Sequence, residues 1–73
     1  MWRKYVEQYV EEARDHFEPD AYETPRDVVT DFIIYMEAVD DHTAALAFTR
    51  LPEDEKMKTA VSMIARITEG QED

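Results

Sequence analysis

The chain is predicted to be all-α, a small single-domain bundle of three or four short helices, and three observations lead there. Apolar residues recur at three- and four-residue spacing along most of its 73 residues, no stretch alternates with period two, and the single glycine leaves no hairpin dipeptide. The length fits one domain over residues 1–70 with a frayed tail at 71–73, near the lower limit of what folds alone on one core. With no cysteine, neither a disulfide nor a thiolate zinc site supplements that core, so packing or a partner has to stabilise it.

The first helix is expected over about 1–17. Trp2, Tyr5, Val6, Tyr9, Val10, Ala13 and Phe17 follow an i, i+3, i+4, i+7 series, with Arg3, Lys4, Glu7, Glu11 and Arg14 on the remaining arc. Pro19 and Pro25 interrupt it, because proline cannot donate and biases the residue before it away from helix. Thr24 is then a natural N-cap, Pro25 takes the favoured first helical position and Asp27 the third. The second helix, about 25–40, carries Val28, Val29, Phe32, Ile33, Tyr35, Met36 and Val39 over a wide arc, which suits the central helix of the bundle. Asp40 and Asp41 end that pattern, and either could cap a third helix over about 42–50; one kinked helix from Pro25 to Arg50 fits the same residues. The last helix, about 52–69, begins at Leu51-Pro52 with Glu53, Asp54 and Glu55 at its positive end, repeats Met57, Ala60, Val61, Ile64 and Ile67, and stops at Gly70.

Trp2, Tyr5, Tyr9, Phe17, Phe32, Tyr35, Met36, Met57 and Ile64 are the expected core. Three apolar residues stand at the margins of these arcs and are the expected self-association candidates: Trp2 beside the terminus, Ile34 outside the arc of the second helix, and Met63 at the edge of the arc of the last. Together they could form a homodimer seam.

The formal charge of −10 is large for this size, yet at 44% hydrophobic content the chain is too apolar for the disordered class. The excess is concentrated: residues 18–41 hold eight carboxylates and one arginine, against four acids and three bases before them and six acids and four bases after. Such a field repels nucleic acid and anionic membrane and favours basic partners. No run of about 18 apolar residues occurs and no apolar stretch follows Met1, so a cytoplasmic protein that is not exported is expected.

Asp20, Glu23, Asp27 and Asp31 recur every three or four residues, and on the second helix Asp27 and Asp31 share a face with Ile34 and Ala38. These carboxylates with Ile34 are the expected partner-binding residues. The function predicted is a non-catalytic acidic module that binds a basic surface of another protein and inhibits or regulates it. A nucleic-acid mimic, such as a virus-encoded inhibitor of a host nucleic-acid-binding protein, would have this character. Strict mimicry is weakened by charge density: duplex DNA carries about one charge per 1.7 Å of axis, whereas a helix over residues 25–41 would be about 24 Å long with five acids. The alternative is a structural or oligomerising subunit whose acids serve only solubility or salt adaptation.

Other chemistries find little purchase. The Glu-x-x-His pair of di-iron bundles is missing at both histidines, since Ala13 and Val39 occupy the glutamate position. One glycine cannot build a phosphate cradle. Lys56, Lys58 and Arg66 on the last helix are a poor phosphate footprint on an acidic background. No cofactor, metal or catalytic residue is therefore assigned. His16 is expected at the edge of the core, bonded to a carboxylate or a tyrosine, and His42 exposed.

Overall fold

A computed structural model describes residues 1–16 and 24–69, and it is an all-α bundle: among these residues there are four helices and no strand. They are α1 (Lys4–Asp15), α2 (Pro25–Ala38), α3 (His42–Thr49) and α4 (Glu53–Glu69). Phe17, Asp20, Glu23 and Gly70 lie outside the described residues.

α2 starts as its sequence dictates. Thr24 is extended, its Oγ1 accepts from the Asp27 backbone N–H at 3.2 Å, and Pro25 opens the first turn. The other end settles whether one helix or two spans residues 25–50. Asp40 adopts φ 63°, its N–H donates to the Glu37 carbonyl at 2.9 Å, and the Asp41 N–H donates to the Met36 carbonyl at 3.0 Å. This is a Schellman termination with aspartate in the left-handed position that glycine usually fills. Asp41 then caps α3, its Oδ1 accepting from the Ala44 N–H at 3.0 Å. The chain breaks into two helices here.

Neighbouring helix ends are tied by long cationic side chains. Lys56 Nζ donates to the Thr49 carbonyl at 3.1 Å, covering the negative end of α3. Arg14 of α1 donates through Nε and Nη2 to the Arg66 carbonyl near the end of α4, at 3.1 and 2.7 Å.

α2 is central, packing on α1, α3 and α4, while α1 also packs on α4. The core is Tyr9, Val10 and Ala13 of α1; Val28, Val29, Phe32 and Met36 of α2; Ala44, Ala45 and Phe48 of α3; and Ala60, Met63 and Ile67 of α4. An unbroken row of edge-to-face rings runs through it: Trp2 on Phe48 at 5.1 Å between centroids, Phe48 on Phe32 at 5.0 Å, Phe32 on Tyr9 at 5.3 Å, Tyr9 on Tyr35 at 5.7 Å and Tyr35 on Tyr5 at 6.4 Å. Each such pair contributes about 0.5–1.5 kcal/mol beyond its buried area.

Two expectations about the last helix are corrected. Met63, expected at the edge of its arc, is 1% exposed, and Val61, expected inside, is 54% exposed. The buried stripe is Ala60, Met63 and Ile67, at i, i+3 and i+7 on the face of α4 that meets α1 and α2, and Val61 falls off that face.

Candidate interaction surface

Two grooves flank α1, and between them they collect Asp31, Ile34, Trp2 and Met63, the expected site residues of the described part of the chain apart from Asp27. The first lies between α1 and α2. It has a volume near 250 Å³ and is lined by Tyr9, Glu12, Ala13 and His16 from α1 and its cap, and by Asp31, Ile34 and Tyr35 from α2. The α1 contribution follows from positions i, i+3, i+4 and i+7 falling on one face, and the α2 contribution from i, i+3 and i+4. Asp31 and Ile34 are thus brought together in one depression, with Ile34 58% exposed. Asp27, one turn before Asp31, is exposed on the same face of α2 outside the groove lining.

Asp31 is held in place. The Tyr9 hydroxyl donates to its Oδ2 at 2.7 Å, anchoring an exposed carboxylate to a buried ring. Tyr35 donates to Gln8 Oε1 at 3.3 Å. Ionisation of Tyr35 is pushed above the ordinary tyrosine range, first by burial and next by the negative charge of Glu12. Glu12 is the residue that sequence reasoning missed. It faces the same groove as Asp31, and the signal is the face that Tyr9, Glu12, Ala13 and His16 share on α1. His16 is exposed at the end of α1 rather than at the edge of the core.

The second groove, near 400 Å³, lies between α1 and α4 and is lined by Trp2, Arg3, Val6, Glu7, Lys58, Thr59, Ser62 and Met63. Trp2 and Met63 do meet here, but as packed groups: Met63 is buried, and Trp2 is half-buried against Phe48 with the Arg3 guanidinium 4.8 Å from its ring. A seam built on Met63 is therefore not available at the surface. Glu7 is taken up by Arg66 of α4.

A third carboxylate with several partners, Asp41, lies outside both grooves. Besides capping α3, it accepts from the Tyr5 hydroxyl at 2.6 Å and lies 3.8 Å from Lys4 Nζ. The Tyr5 hydrogen bond, then the Ala44 N–H and the Lys4 charge, hold its carboxyl below the usual range, and the same bond raises Tyr5. His42 is exposed as expected, with Nδ1 2.8 Å from Glu37 Oε1.

Among the described residues no group of three or more His, Asp or Glu side chains is placed to hold a metal ion, and no helix is long and apolar enough to cross a membrane. Comparison with protein-family models, curated proteins and solved structures finds no match to this chain.

Proposed function

We propose that this protein is a non-catalytic acidic interaction module that binds a basic surface of another cytoplasmic protein through the exposed face of α2, and inhibits or regulates that protein by occupying its surface. One observation carries the reading: Asp27, Asp31 and Ile34 share an exposed face beside a groove whose opposite wall presents Glu12. Carboxylates alone would suit a solvated face. An isoleucine more than half exposed among them supplies the apolar centre that a docking surface needs, ringed by charge that steers a basic partner. A nucleic-acid-binding protein is the partner class that such a surface suits best, because its groove is already basic.

The test is the double reversal Asp27→Lys/Asp31→Lys, assayed against a basic nucleic-acid-binding protein at low and high salt with duplex DNA as competitor. Wild-type binding should weaken as salt rises and yield to DNA, and the variant should lose at least about tenfold in affinity. Unchanged helical signal by circular dichroism assigns that loss to the surface. Undiminished binding by the folded variant would remove this face from the reading.

A further inference from the structure

We propose that the α1/α2 groove receives one arginine side chain of the basic partner, inserted between Glu12 and Asp31 with its neighbouring apolar residue seated on Ile34. This rests on the function proposed above and narrows the partner's chemistry to a single anchoring group.

Size is the first constraint. At about 250 Å³ the groove falls below the range of roughly 300–1,000 Å³ typical of small-molecule pockets, and it suits one long side chain. Charge is the second. Glu12 and Asp31 come from different helices and line the same depression, and among the described residues no lysine or arginine forms a salt bridge with either. Four of the eight lysines and arginines are engaged elsewhere: Lys4 beside Asp41, Arg14 on the Arg66 carbonyl, Lys56 on Thr49 and Glu53, Arg66 on Glu7. The groove thus presents two carboxylates, with His16 also in its lining, to which no lysine or arginine is salt-bridged among the described residues.

Geometry selects arginine over lysine. The Tyr9 hydroxyl occupies Oδ2 of Asp31 and fixes its plane, leaving Oδ1 as an acceptor held in a defined direction. A guanidinium carries five donors in a planar fork, so it can address Asp31 and Glu12 together, and its face can stack on Tyr35, which also lines the groove. It is also more weakly hydrated than an ammonium, which lowers the cost of leaving water. Burial first, and the Glu12 charge after it, raise the ionisation of Tyr35. Ile34 at the rim adds an apolar contact that discriminates a folded partner from a free cation.

The experiment uses two synthetic amphipathic helical peptides that differ at one central position, one all-lysine and one carrying a single Lys→Arg change, titrated into the full chain. Both should bind with salt-sensitive affinity if the acidic face docks basic surfaces. The arginine peptide should bind about tenfold tighter and shift the NMR resonances of Tyr9, Ile34 and Tyr35, and Glu12→Gln should erase that advantage by weakening the arginine peptide more than the all-lysine one. Equal affinities for the two peptides, with salt dependence intact, would overturn the arginine anchor and leave the docking face standing. No binding by either peptide would overturn both. Concentration-dependent association of the protein alone, relieved by Glu12→Gln in sedimentation velocity, would identify the occupant as a second copy and likewise overturn it.

Discussion

The two grooves beside α1 are built from the same helix and differ in what fills their floors. Between α1 and α4, Met63 is buried and the wedge of Trp2 on Phe48 closes one end, so the depression is the outer edge of the core. Between α1 and α2, Ile34 stays exposed and the polar walls are Glu12 and the tethered Asp31. An apolar side chain at a groove therefore means opposite things on the two sides: on one it is already covered by the fold, and on the other the fold leaves it exposed. Substitutions in the first should be felt as stability and in the second as binding.

The largest expected effect tests the first half of that contrast. Met63→Ala should cost about 2–5 kcal/mol, read from chemical denaturation, and in so small a domain this should leave a substantial unfolded fraction at ambient temperature. A loss below about 0.5 kcal/mol would mean the α1/α4 groove is surface after all.

Acidification should come next. Asp41 has its carboxyl depressed in the folded state, so its contribution is complete above the unfolded value near 4 and is lost as pH falls through the lower folded value. Tyr5 and Tyr35 are raised, so their contribution is complete below about pH 10 and is lost as pH climbs through their folded values. Thermal unfolding followed across pH should show both flanks, and Asp41→Asn should flatten the acid one.

Tyr9→Phe removes only the hydroxyl that steadies Asp31. About 0.5–1.5 kcal/mol of stability should go with it, along with part of the affinity for a basic partner, because Asp31 then loses its fixed orientation. The smallest stability effect belongs to Ile34→Ala, within about 0.5 kcal/mol of wild type, while its partner affinity falls. If Ile34→Ala instead destabilised the fold as Met63→Ala does, the contrast between the grooves would collapse.

How much of this was legible depended on whether a signal was local. The start of α2 is written in Thr24, Pro25 and Asp27, and the cap forms as the residues imply. The shared face of Asp27, Asp31 and Ile34 follows from four-residue and three-residue spacing and needs no tertiary information. The break at residues 39–41 was ambiguous because aspartate, not glycine, takes the left-handed position, so the Asp pair offered a cap without deciding between a stop and a kink. The α4 stripe was misjudged by one step because Val61 and Met63 look equally apolar in one dimension, and only the face of α4 that meets α1 and α2 distinguishes them. Glu12 was overlooked for a similar reason: a groove belongs to two helices, and its second wall is invisible from either alone. Asp20 and Glu23 of the expected acidic row lie outside the described residues, so the structure speaks only for Asp27 and Asp31.

The row of rings from Trp2 to Tyr5 has an optical consequence. Excited tyrosines pass their energy to a nearby tryptophan, and the lone Trp2 sits at one end of a row that has Tyr9, Tyr35 and Tyr5 at the other. The bundle thus carries its own donor and acceptor, with no label to attach. Tyr9 and Tyr35 line the acidic groove and Trp2 lines the α1/α4 groove, so light absorbed beside the first is emitted beside the second, and an occupant of the second would recolour the indole itself.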